Sequence, residues 1–118
     1  MRGMFLAALA VGFMAAGPAA AWTRITTEDQ FRDVVIGKSF TGPLYRVTAE
    51  ADGSLTGEVE GLNLVGQWHW DDEGYYCTSV RIAQHITGAY CSVVEINGSQ
   101  FRLTRERGQG AQFVYTLE

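Results

Sequence analysis

The sequence predicts a mainly β domain: a short N-terminal helix followed by an antiparallel up-and-down meander of about eight strands, closing into a small barrel or curled sheet. Three observations carry this. One segment near the start, Glu28 to Ile36, has the caps and spacing of a helix. After it, short apolar runs are divided by Gly-containing turns at roughly 8–12-residue spacing. The large apolar residues of those runs keep to one face through successive turns, which a single slip of register would invert.

The first 21 residues stand apart. Met1 to Ala21 holds one charge, Arg2, then an apolar run from Met4 to Ala16, then Gly17-Pro18-Ala19-Ala20-Ala21. These are the parts of a secretory signal peptide. The run is short of the roughly 20 residues that span a bilayer, and no later segment is long and apolar enough to do so. Cleavage after Ala21 is expected to leave residues 22–118, 97 residues with 8 basic and 13 acidic side chains, as a single β-barrel-like domain. That size excludes a dinucleotide-binding domain beside a substrate domain. A net charge of −5 on that part argues against a nucleic-acid partner. The protein is expected to be periplasmic or secreted.

In such a compartment the two cysteines, Cys77 and Cys91, read as a disulfide. Closing a loop of about 15 residues stabilises by about 3 kcal/mol. The pair lacks the Cys-x-x-Cys spacing of a redox site. A zinc site would need both cysteines together with His69 and His85, so no metal is expected.

The helix is justified by Thr27 and Gln30 as a capping box, by Phe31, Val34 and Val35 at helical spacing, and by Gly37 at the C-terminal cap. A short strand near Lys38 to Thr41 follows. The turns then fall at Thr41-Gly42-Pro43, Ala51-Asp52-Gly53, Glu60-Gly61, Asp72-Glu73-Gly74, Asn97-Gly98 and Gly108-Gln109-Gly110. A three-residue loop at Ala51-Asp52-Gly53 sets Tyr45 opposite Val59 and Ala49 opposite Leu55. Glu60-Gly61 sets Val59 opposite Leu62, and the next loop sets Trp70 opposite Tyr76 and Trp68 opposite Thr78. A loop of Ala83-Gln84-His85 pairs Ile82 with Ile86 and brings Cys77 opposite Cys91. Asn97-Gly98 pairs Val94 with Phe101, and Gly108-Gln109-Gly110 pairs Phe101 with Leu117. No bulge is needed. The disulfide then lies on the outer face, with His69 beside Cys77. The inner face mixes large residues, among them Trp68, Trp70, Tyr76, Tyr90 and Tyr115, with small ones such as Gly57, Gly66 and Gly88.

Chemistry-bearing patterns are few. Trp68-His69-Trp70-Asp71-Asp72 could offer His69 and an acidic turn for acid–base work. It reads more simply as two core indoles, an exposed imidazole and a soluble hairpin turn. Asp71-Asp72-Glu73 lacks the spaced ligands of a calcium loop. No serine occupies a Gly-x-Ser-x-Gly elbow, and Gly108-Gln109-Gly110 joins two strands without opening a helix. The chain is therefore expected to have no cofactor and no catalytic residues, and not to be an NAD(P)-dependent reductase. Arg105 falls on the inner face opposite Phe113, where it could hold a ligand carboxylate, stack on the ring, or reach out to water. Trp22 is left open between packing on the barrel and exposure.

The segment Val34-Val35-Ile36-Gly37-Lys38, the Asp52-Gly53 turn with Gly57, and Gly66-Gln67-Trp68-His69-Trp70 before Tyr76-Cys77 and Cys91 carry a resemblance. From about Phe31 to Cys91 the chain resembles small exported bacterial proteins of the DUF995-type and related calycin-like group. The resemblance implies a barrel in the cell envelope and assigns no catalytic residues. Small disulfide-containing lysozyme inhibitors share the size and compartment, but their Ser-Ala-Ser-Gly signature is absent.

The expected function is a non-enzymatic binding or interaction module. It would take a small apolar ligand or an envelope protein through Trp68, Trp70, Tyr76, Tyr90, Arg105 and Tyr115, with access beside the indoles where the inner glycines leave room. The alternative is an inhibitor or accessory protein of a cell-envelope enzyme. A hydrolase built on His69 is a third reading.

Overall fold

The computed structural model describes residues 21–118, so the expected signal peptide lies, but for Ala21, outside the described residues. Helix α1 spans Glu28–Val35, one residue shorter than expected. Its capping box is formed: the Gln30 N–H donates to the Thr27 hydroxyl at 3.2 Å, and the Gln30 side-chain oxygen accepts from the Thr27 N–H at 3.2 Å. Phe31 and Val35 supply its buried face, and Gly37, at φ +91°, turns the chain off its end.

The strands are β1 Thr23–Ile25, β2 Ser39–Gly42, β3 Tyr45–Ala49, β4 Ser54–Val59 and β5 Leu62–Trp70, then β6 Tyr76–Ile82, β7 His85–Ile86, β8 Tyr90–Asn97, β9 Gln100–Thr104 and β10 Gln112–Leu117. Eight of them, β2 to β6 and β8 to β10, close an antiparallel barrel, with β10 returning to pair with β2. The closing ladder is Thr116 with Thr41 and Leu117 with Phe40, extended by reciprocal backbone bonds between Ser39 and Glu118. The remaining two strands flank the seam between β6 and β8. There β6 and β8 pair over only three positions. Below them β1 continues along β8, with Ile25 opposite Val94; above them β7 folds back on β6, with Arg81 opposite Ile86. The three-residue run of β1 was too short to be read from the sequence.

The register from β3 to β6 is as expected: Tyr45 faces Val59, Ala49 faces Leu55, Val59 faces Leu62, and Trp70 faces Tyr76. Three later turns differ. The β6–β7 hairpin turns on Ala83-Gln84 alone, pairing Ile82 with His85, so the expected Ile82–Ile86 pair does not form. Cys77 still meets Cys91 because Thr87-Gly88-Ala89 breaks the strand and absorbs the one-residue difference, a bulge that the sequence reading had not required. The next hairpin turns on Gly98-Ser99, so Val94 pairs with Leu103 and Ile96 with Phe101. Only Gly98 of that turn has positive φ, +62°, which suits a Gly-first turn and leaves Asn97 in the strand. The last connection spans Arg105 to Ala111, and Phe101 pairs with Tyr115 in place of Leu117. Both later shifts are of two residues, so every side chain keeps its face.

One end of the barrel is filled. Phe31 stands 5.0 Å from Trp68, 5.2 Å from Trp70 and 4.9 Å from Tyr76, ring centre to ring centre. The Trp68 indole N–H donates to the Glu50 carbonyl at 2.9 Å, and that of Trp70 to the Thr26 carbonyl at 3.4 Å. Helix α1 is thereby the stopper of this end. The inner glycines serve a purpose other than leaving room. A Cβ on Gly57 would collide with the Arg46 carbonyl, and one on Gly66 with the Ser79 carbonyl. Both let neighbouring strands approach closely where the sheet curls.

The disulfide joins Cys77 and Cys91 at outward positions with His69 opposite Cys77, as expected. It is nevertheless covered, Cys77 being 3% exposed. The connection after β9 folds back over β8, with Gly108 against Val93. Its Arg107 then pairs with Glu73 at 2.9 Å and Asp71 at 3.6 Å.

Candidate functional site

An eight-stranded barrel has an interior just wide enough to be filled by side chains or to hold one small ligand. Here it does one at each end. Above the Phe31–Trp68–Tyr76 layer lies a cavity of about 430 Å³, within the roughly 300–1,000 Å³ usual for small-molecule sites. Its floor is Phe40, Leu55, Tyr76 and Phe101; Phe40 and Phe101 pack at 4.4 Å. Its upper wall is Tyr45, Tyr90, Phe113 and Tyr115. Tyr45 stacks on Tyr115 at 4.5 Å, and Tyr115 is itself parallel to Phe113 at 6.4 Å. Thr78 and the buried Ser92 add hydroxyls, and Arg105 is the only basic residue in the lining among the described residues.

The mouth is distinguished by its backbone. Five residues other than glycine have positive φ among the described residues: Leu44, Glu60, Ala83, Glu106 and Arg107. Leu44, Glu60 and Ala83 lie in turns at the open end, between β2 and β3, β4 and β5, and β6 and β7; Glu106 and Arg107 lie in the connection from β9 to β10, which folds back over β8 toward the Asp71–Gly74 turn. The opposite end places glycines, Gly53, Gly74 and Gly98, at its left-handed positions. Each left-handed L-residue costs about 1–2 kcal/mol, and such strain gathers at ligand-holding rims. Leu44, 74% exposed, and Ile86, 73% exposed, add apolar side chains around this end.

The phenols of the cavity are electrostatically linked. Burial pushes the Tyr76 hydroxyl well above the ordinary phenol range, and the nearby Tyr45 and Tyr115 oxygens add to the rise. Tyr45 is also raised strongly, first by burial and then by Tyr115; the Arg105 charge opposes this. Tyr115 is raised by burial, against the pull of Tyr45 and Arg105. Three phenol oxygens and one guanidinium therefore act on one another inside the same cavity.

The structure divides the six expected ligand residues. Tyr76, Tyr90, Arg105 and Tyr115 line the cavity. Trp68 and Trp70 do not; they lie in the packed layer with Phe31, which closes the end where access had been expected. Arg105 stacks on Tyr90 at 4.2 Å and on Phe113 at 4.9 Å. Tyr45 was missed as a site residue, although its register opposite Val59 already placed it on the inner face. Trp22 packs under Arg102, whose guanidinium lies 4.2 Å from the indole.

The acidic turn is occupied structurally. The Asp71 carboxylate accepts from the N–H groups of Glu73 at 3.0 Å and Tyr75 at 2.9 Å. It also lies within 4.8 Å of Cys77 and Cys91, but both sulfurs are bonded to each other and neither is a thiolate ligand. His69 is exposed on the outer face. Among the described residues no helix is long and apolar enough to cross a membrane. A disulfide is compatible with an extracytoplasmic, oxidising compartment. Comparison of the chain with protein-family models, curated proteins and solved structures gives no match.

Proposed function

We propose that this is an exported, non-enzymatic binding module, periplasmic or secreted, that holds one small and mainly apolar molecule inside the barrel. The observation that carries the reading is the cavity of about 430 Å³ at the open end, walled by aromatic rings and rimmed by strained turns. Burying apolar surface there gains about 25 cal/mol per Å², and the filled lower half keeps the walls in place. Titration with a neutral fluorescent probe such as N-phenyl-1-naphthylamine tests it, together with the cavity-filling variant Thr78→Phe. Saturable one-to-one binding that Thr78→Phe abolishes in a folded protein supports the reading. A wild-type protein that binds neither the probe nor any molecule retained in native mass spectra refutes it.

A second reading, contact with an envelope protein through the rim, is favoured by Leu44, held outward on a left-handed turn. Its test is co-purification from the native envelope with wild type and Leu44→Asp. A specific partner lost in the variant supports it; an identical pull-down from both removes it.

A further inference from the structure

We infer that the cavity selects an amphiphile bearing a single carboxylate, held at the mouth by Arg105 between the phenols of Tyr45 and Tyr115. The inference rests on the proposed reading of the cavity as a ligand site and adds the chemical class of the ligand.

The argument begins with charge. The chain has 13 acidic and 9 basic side chains, so acids outnumber the available cations. Four arginines, Arg32, Arg46, Arg102 and Arg107, have taken carboxylate partners. Arg105 has none within 4.0 Å among the described residues, although Glu106 adjoins it and Glu60 stands on the same rim. Among the described residues it is also the only basic side chain lining the cavity. Its guanidinium carbon lies 4.2 Å from the centre of the Tyr90 ring and 4.9 Å from that of Phe113, which holds the group at the cavity wall. Among the described residues the arginine side chains that donate hydrogen bonds are those of Arg24, Arg32, Arg46, Arg102 and Arg107, so the N–H donors of Arg105 are left for a ligand. A planar carboxylate is the head group that this fork matches.

The phenols complete the head-group site. Tyr45 and Tyr115 line the same cavity as Arg105 and stack on each other at 4.5 Å, and the Arg105 charge acts on both. Both phenols stay protonated at neutral pH; the Tyr45 hydroxyl donates to Tyr115, which leaves the Tyr115 hydroxyl to donate to an anionic oxygen. Beyond them the lining turns apolar through Leu55, Leu64 and Phe101. A charged head at the mouth and an apolar body toward the floor follow from that gradient. A dianionic phosphate would bring a second negative charge that no other cation of the lining meets.

The test is calorimetric titration of the delipidated protein with decanoate, decanol and decyl phosphate. Wild type is expected to bind decanoate at least about tenfold more tightly than decanol, since a hydrogen-bonded charge contributes on the order of that factor. In Arg105→Gln the ratio of the two affinities should fall toward one, with an unchanged far-ultraviolet circular dichroism spectrum showing the barrel intact. Arg105→Lys, with charge but no fork, should restore part of the preference. Equal binding of decanoate and decanol by wild type overturns the inference and leaves the apolar-ligand reading standing. Tighter binding of decyl phosphate than of decanoate overturns the carboxylate assignment. Failure of all three ligands to bind overturns both readings.

Discussion

Cys77 and Cys91 are bonded at the centre of the three residue pairs that join β6 to β8. The four residues flanking them in that ladder, Tyr76, Thr78, Tyr90 and Ser92, all line the cavity. The disulfide therefore fastens from outside the seam whose inside is ligand wall. With the cysteines 14 positions apart, removing the bond as Cys77→Ala/Cys91→Ala is expected to cost about 3 kcal/mol and lower Tm by roughly 10–20 °C. Because the three backbone pairs of the seam and the β10–β2 closure do not depend on the sulfurs, the barrel should still form, with a weakened wall. Calorimetry of the double variant should show the fall in Tm, and probe affinity should drop with it. A variant that keeps full affinity would separate the disulfide from the site.

Phe31 is expected to be the costliest single truncation in the helix. It is fully buried and touches Trp68, Trp70 and Tyr76 together. Phe31→Ala should lose about 3–5 kcal/mol in urea unfolding, through lost burial plus an uncollapsed cavity. The stopper would also loosen, so tryptophan emission should shift to the red. The same substitution at Val34, only half-buried at the helix edge, should cost much less.

Alkaline pH should destabilise the fold through the cavity phenols. Burial raises the Tyr45 and Tyr76 hydroxyls above the ordinary phenol value of 10.0. The folded state then holds protons that the unfolded chain releases, so the folded form binds more protons above about pH 10. The stability tied to these groups is fully present below that pH and is lost progressively as pH rises beyond it. Thermal unfolding from pH 8 to 12 should show Tm falling above pH 10. Tyr76→Phe should flatten that fall without steepening any loss at acid pH.

How much of this was legible depended on where glycine sits. The β3 to β6 register could be read because Gly53, Gly61 and Gly74 occupy left-handed positions in its turns. Two of the three later errors came where other residues take that conformation, Ala83 in the β6–β7 hairpin and Glu106 with Arg107 after β9; the third came at Gly98, which opens its turn where Asn97 had been expected to. No local signal marks an alanine or an arginine as left-handed, since tertiary contacts pay that cost. The inner face survived because the one-residue slip at β7 is absorbed before β8 and the two later slips were of two residues each. The site was half legible for a related reason. Parity placed Tyr76, Tyr90, Arg105 and Tyr115 inward but could not tell which end helix α1 fills. That choice is made by Phe31 reaching Trp68 and Trp70, a contact 37 or more residues apart in the chain.

The rim strain itself can be relieved at one point. Glu60 and Gly61 form a two-residue turn with φ of +54° and +82°, the geometry for which Asn-Gly is the favoured pair. Asn tolerates the left-handed region better than Glu, so Glu60→Asn should stabilise by about 0.5–1 kcal/mol, seen as a higher urea midpoint at unchanged m-value. The backbone bond from the Glu60 N–H to the Leu44 carbonyl, 2.7 Å, does not depend on the side chain and should persist. The substitution also removes the acid from the rim facing Arg105. Decanoate affinity should therefore rise modestly, more at low salt than at high, while decanol affinity stays level. A gain in stability with equal gains for both ligands would mean that the rim acts on access alone and that Glu60 exerts no field on the bound head group.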